Sequence, residues 1–154
     1  MTAELSPAGH ARSIGEARQR LIRFVQQCTD GDWRAAPVDG DPRPVGVIAD
    51  HVAHAYEYLA GWIGDLAAGK AVEVNAEIVD ELNAEHAGEA GTVTKAHVLG
   101  HLTSSGDALI TLVASLEPAQ LEFGDGRVAR FATIAARHAD DHRAQLDEGL
   151  AALG

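Results

Sequence analysis

Histidine is the residue type in this chain with the most chemistry to offer: there are eight in 154 residues, while aromatics make up only 5%. Six of them fall in three pairs at helical spacing: His51 with His54, His97 with His101, and His138 with His142. Imidazole titrates near neutrality and, when neutral, is the commonest protein ligand for a metal ion. Two residues four apart on a helix share a face, so one such pair can address one ion. The pairs differ in the face they occupy. In RHADDHRAQLDEGL (137–150), the expected apolar stripe is Phe131, Ile134, Ala135, Leu146, Ala152 and Leu153. At 100° per residue, His138 and His142 fall within about 20° of its centre. They take core positions. His101 lies about 70° and His97 about 110° from the stripe of their helix, which places them on flank and surface. His51 lies about 65° from its stripe and reaches the interior from the edge, whereas His54, at about 125°, does not. His10 and His86 fall in segments read as peripheral. Burying two imidazoles without partners costs on the order of several kcal/mol. A metal ion removes that cost by binding both in their neutral form.

Other reactive constellations are missing from the sequence. There is no GxSxG motif and no glycine-rich phosphate loop. Ser104 and Ser105 fall in mid-helix, and Cys28 reads as core packing. No catalytic residue is assigned beyond the metal ligands. Cys28 is the only cysteine, so an internal disulfide is excluded, and the lone thiol suits a reducing cytoplasm. With 23 acidic against 12 basic residues, the net charge is -11. Such a chain repels phosphate backbones and anionic membrane surfaces, so neither nucleic acid nor membrane is expected as a partner. No apolar run approaches the ~20 residues of a membrane span, and MTAELSPAGHARS lacks the charge-then-apolar pattern of a signal peptide.

The elements that must position these histidines are helices, since apolar residues recur every three to four positions almost throughout. The first begins at Ser6-Pro7, carries Ile14, Ala17, Leu21, Phe24/Val25 and Cys28 inward, and is expected to end at Thr29-Asp30-Gly31-Asp32. A loop rich in Pro, Gly and Asp follows. The second helix is predicted over about 44–68, with Gly69 as its stop. A shorter helix is predicted over 72–88, broken by Gly88 and Gly91. Thr94 caps a third long helix running to about Leu116. LEFGDGRVARF holds a tight turn with room for two short strands. The last long helix starts near Arg130. The expected fold class is all-α: one domain over residues 1–154, a four-helix bundle with a crossover connection and a short inserted helix.

Three pieces of sequence resemble the DinB/YfiT-like superfamily of metal-binding four-helix bundles, which includes thiol-dependent S-transferases and the N-terminal domains of mycothiol-dependent maleylpyruvate isomerases. They are PVGVIADHVAHAYEYLAGW, NAEHAGE and HADDHRAQL, and the resemblance spans roughly 14–150. Its most specific part is HxxxHRxQ, here His138, His142, Arg143 and Gln145. The family pattern adds one histidine from the second helix. Its register after Pro44-Val45-Gly46-Val47 selects His51, which the helical position also prefers over His54. The resemblance therefore implies a metal site of His51, His138 and His142. Asp141 and Ala144 stand where the family often has His and Gly, and neither change removes a ligand. The isomerase branch has Glu in place of His138, which leaves the branch open.

Three imidazoles leave at least one coordination position free, as in catalytic zinc sites, and the nitrogen set suits Zn or Ni. The function expected from the resemblance is a metal-dependent S-transferase or isomerase using a low-molecular-weight thiol. Ten Arg against two Lys point to a GC-rich genome and so to mycothiol as co-substrate. A metal-dependent hydrolase and a non-catalytic metal- or ligand-binding bundle are the alternatives. Arg143 and Arg127 are the candidate cations for a thiol or substrate carboxylate, with Arg143 as the expected cofactor-binding residue. Asp50 and Asp141 are read as solvated carboxylates that could also orient the ligands. A homodimer is expected, with Trp33, Trp62, Tyr56 and Tyr58 available to an interface or to the core.

Overall fold

Ser6 opens the first helix. Its Oγ accepts the Gly9 N–H at 3.0 Å, and Pro7 occupies the first helical position, where its missing N–H costs nothing. The computed structural model describes residues 4–90 and 93–154. α1 spans Pro7–Gln27 and buries Ile14, Ala17, Leu21 and Val25. Thr29-Asp30-Gly31-Asp32, expected to end this helix, instead starts a new one. Thr29 and Asp32 form a reciprocal capping box, each side chain accepting the other's backbone N–H at 3.0 Å, and α2 follows over Asp30–Arg34.

α3 spans Val45–Ala67 and stops before Gly69, whose φ of +79° is left-handed. α4 spans Ala76–Ala90, with Asn75 Oδ1 accepting the Ile78 N–H at 2.9 Å. Gly88, expected to break the chain, lies inside α4, and Gly91 falls outside the described residues. α5 spans Lys95–Ala114, capped by Thr94. The expected short strands are replaced by a 3-10 turn over Pro118–Glu122 and three consecutive left-handed residues, Gly124, Asp125 and Gly126. That backbone is incompatible with a strand, and no strand occurs among the described residues. α6, Arg127–Leu153, starts three residues earlier than expected.

The four long helices form an all-α bundle in which α1 and α3 each pack against both α5 and α6. Arg18 meets Thr103 and Asp107, and Cys28 meets Lys95, so α1 and α5 are antiparallel. Arg20 meets Asp140 and Phe24 lies beside Asp147, so α1 and α6 run together. His51 meets His138 while Trp62 meets Phe131, which makes α3 and α6 antiparallel. The long helices thus run up, down, down, up. Parallel α3 and α5 require the chain to travel back along the bundle, and residues 68–94 with α4 make that crossover.

The core is built from Ile14, Leu21, Ile63, Leu102, Leu109 and Tyr56. Two expectations about faces need correction. Every residue from Val45 to Ala53 is buried, because α2, the 35–44 segment and α4 cover the side of α3 that the bundle leaves open. On α6, Ile134, Ala152 and Leu153 are exposed, and the buried face is Val128, Phe131, Ala132, Ala135, Ala139 and Leu146.

Candidate metal centre

α3 and α6 bring His51, His138 and His142 together. His51 Nε2 lies 3.2 Å from His138 Nε2, and His142 Nε2 lies 3.0 Å from the same atom. Ring centroids are 4.5–5.2 Å apart, with near-perpendicular planes. Tetrahedral ligand nitrogens at 2.0–2.1 Å from an ion stand about 3.3–3.4 Å from one another. The spacing found here is close to that edge, so the residues fit a divalent ion. The proton arrangement points the same way. The Nε2 atom of a neutral imidazole holds either one hydrogen or one lone pair, yet His138 Nε2 must serve two neighbours at once. An ion accepting all three lone pairs resolves that conflict.

The depths differ from the sequence expectation. His51, expected at the edge, is fully buried at 4% exposure, while His138 and His142 are half-buried. The reason is the cover over the start of α3 and the rotation of the buried face of α6. Burial and then the neighbouring imidazoles hold His51 at about 2 and His138 at about 4. Burial likewise lowers His142, against the hydrogen bond from Gln145. All three are neutral at neutral pH, the form that binds metal. His142 Nδ1–H donates to Gln145 Oε1 at 3.3 Å, which leaves its Nε2 lone pair free. His51 Nδ1 is buried without a partner among the described residues.

A second polar cluster lies on the other side of α3. Asp50, read as a solvated carboxylate, is buried at 4% exposure. His86 Nε2–H donates to its Oδ2 at 2.8 Å, and His101 Nδ1–H to its Oδ1 at 2.7 Å. Burial would raise the Asp50 carboxyl, but these two imidazoles hold it below its ordinary value. His101 also pairs through Nε2 with Glu57. Burial alone would lower His101; the hydrogen bonds and charges of Glu57 and Asp50 raise it instead. His86, read as peripheral, is buried because α4 folds over α3, and it stacks on half-buried His54 with ring centroids 5.0 Å apart. His10 is also buried, not peripheral.

The candidate cations fall elsewhere. Arg127 donates to the Gly124 and Val72 carbonyls and ties the start of α6 to the crossover. Arg143 lies with Nε 3.8 Å from Asp140, lining a cleft with Arg20, Arg23, Phe24 and Gln27 of α1. The cation near the imidazoles is Arg43, whose charge lowers both His51 and His142. It is clamped bidentately by Asp41, with Nε–Oδ1 at 3.0 Å and Nη2–Oδ2 at 2.8 Å. Sequence reading missed it because it sought basic residues on the ligand-bearing helix; DPRP just ahead of α3 was the available signal. Asp141 is exposed, as read. Cys28 is buried, and that burial pushes its thiol up to about 11, so it offers no thiolate. Tyr56 is buried, Trp33 donates its Nε1–H to the Val93 carbonyl at 2.8 Å, and Tyr58 and Trp62 pack against each other.

Comparison with known proteins places this geometry in context. The family model described as the DinB superfamily matches residues 13–146. The solved structure "Sibling Lethal Factor Precursor - DfsB" superimposes with a TM-score of 0.72 at 16% identity, covering 95% of each chain, a likeness of fold. A search of curated proteins finds no match.

Proposed function

Because the chain belongs to the DinB superfamily, we propose that it is a cytoplasmic metal-dependent enzyme of one domain, using His51, His138 and His142 to hold Zn or Ni. Its reaction is transfer of a low-molecular-weight thiol of the mycothiol type to an electrophilic small molecule. The observation that carries this reading is the convergence of three imidazoles, with the Nε2 atoms of His51 and His142 at 3.2 and 3.0 Å from that of His138. A divalent ion held there supplies positive charge that favours the thiolate form of a bound thiol. The chain's own residues do the rest. Three neutral imidazoles hold the ion, and Gln145 fixes the tautomer of His142. Arg43, oriented by Asp41, is the cation beside the imidazoles for drawing in a carboxylate, and Arg143 is the second candidate for that role. Buried Cys28 stays out of the chemistry. A homodimer completes the proposal, with Leu5 and Ile134 the large apolar side chains left exposed on one face.

The test begins with the metal content of the purified protein. His138→Ala should lose the ion held by the wild type. Zn- and Ni-loaded protein is then given mycothiol, bacillithiol or glutathione with monochlorobimane. Thiol consumption that chelation abolishes is the expected result. No consumption with any thiol overturns the transferase reading. Ester or amide cleavage that needs no thiol and is lost on chelation would make the protein a hydrolase. Sedimentation velocity tests the dimer.

A further inference from the structure

The three-imidazole site leaves a second group of ligand-type side chains unexplained. We propose that Asp50, His97 and His101 form a second site for a divalent transition-metal ion, between α3 and α5, with a donor set of two imidazoles and one carboxylate. One ligand atom from each lies within 4.8 Å of the other two. Asp50 Oδ1 is 2.7 Å from His101 Nδ1 and 3.8 Å from His97 Nε2. Those two separations bracket the about 3.3 Å edge of a tetrahedral site with 2.0–2.1 Å bonds, and the two imidazole nitrogens lie within 4.8 Å of each other.

Two of the three ligands are already oriented by their neighbours. Glu57 accepts the Nε2–H of His101, so an ion that displaces the Nδ1 proton now donated to Asp50 meets the Nε2–H tautomer, with the Nδ1 lone pair turned toward it. His86 holds Oδ2 of Asp50, turning Oδ1 toward α5. Carboxylates and imidazoles placed behind metal ligands in this way fix ring and carboxylate orientation. The third ligand, His97, lies one helical turn from His101 and shares its face. Its side chain is 59% exposed, so it can swing onto the ion while water fills the open side. A buried carboxylate needs either hydrogen-bond donors or a cation at its oxygens. In the structure the His101 Nδ1–H bond to Asp50 meets that need.

This site is separate from the first. Asp50 and His51 are consecutive on α3 and diverge by about 100°, so His51 faces α6 and Asp50 faces α5. One oxygen donor makes the second set harder than three imidazoles, and it suits Zn, Fe(II) or Mn.

The experiment counts ions. Full-length metal-free protein is titrated with Zn2+ by calorimetry, and bound ions are counted by native mass spectrometry. Wild type should bind two ions per chain. His97→Ala, His101→Gln and His138→Ala should each bind one, and His97→Ala/His138→Ala none. Circular dichroism checks folding, and His97→Gln replaces His97→Ala should the latter lose helix. Glu57→Gln should keep both ions but weaken one by about 10–100-fold. A wild type that binds one ion, or a folded His97 variant that still binds two, overturns the proposal. Loss of an ion in His97→Ala but not in His138→Ala would sustain this site and overturn the three-histidine one.

Discussion

Gln145 and Arg43 give the residue scale its sharpest contrasts. Gln145 makes its side-chain hydrogen bond to Nδ1 of His142, so that bond acts on an ion through the ring. Gln145→Ala should weaken metal binding by about 10–100-fold without changing its stoichiometry, read by competition with a chelator. Arg43 and Arg143 compete for the anion-binding role. In the thiol-transfer assay, Arg43→Gln should raise KM for a carboxylate-bearing thiol, while Arg143→Gln, facing α1, should leave it unchanged. His10 carries a pH signature free of any ion. Burial lowers its folded pKa below the ordinary 6.5. The unfolded chain therefore binds more protons just below pH 6.5, and His10 costs stability there as pH falls, with no penalty above. The urea midpoint of His10→Leu should drop less than that of wild type between pH 7.5 and pH 5.5. An equal drop in both would remove His10 as a source of acid sensitivity.

At the scale of elements, two glycines of α3 should respond oppositely to the same substitution. A Cβ on Gly46 would stand 2.7 Å from the Trp33 indole, which its hydrogen bond to Val93 holds in place. Overpacking of this kind costs about 1–3 kcal/mol, more than the roughly 1 kcal/mol that Ala gains over Gly in a helix. Gly46→Ala should therefore lower the melting temperature. Gly61 is exposed with nothing within 4 Å of a Cβ, so Gly61→Ala should raise it, and scanning calorimetry compares the two. The long helices were legible in sequence because period and caps agree: Ser6-Pro7, Gly69 and Thr94 mark ends that the structure keeps. α2 was not legible, because Thr29-Asp-Gly-Asp reads equally as a stop and as a new cap. The His138/His142 pair was visible from spacing and His51 from the family register. The depth of the site was not, because burial of the first turns of α3 comes from α2, the 35–44 segment and α4, all outside the helix itself. Helical position counts only the residues of one helix, so it could not see α4 placing His86 against Asp50 or α5 turning His101 inward.

The whole molecule combines a net charge of -11 with a bundle in which no described helix is long and apolar enough to cross a membrane. That charge should keep it off duplex DNA even at low salt. Fluorescence polarisation with a labelled duplex should show no change at micromolar protein, and salt-sensitive binding would contradict the expectation. The up-down-down-up course sets when the site can exist at all. The contact between His51 and His138 spans 87 residues, and that between Arg20 and Asp140 spans 120. Closing such spans carries an entropic cost that only the docking of α6 onto α1 and α3 can offset. On the ribosome, α6 emerges after the other described helices, so until then a nascent chain offers His51 alone of the three ligands. An ion held by all three imidazoles would therefore report on a bundle with α6 docked: it can seal that fold but cannot nucleate it.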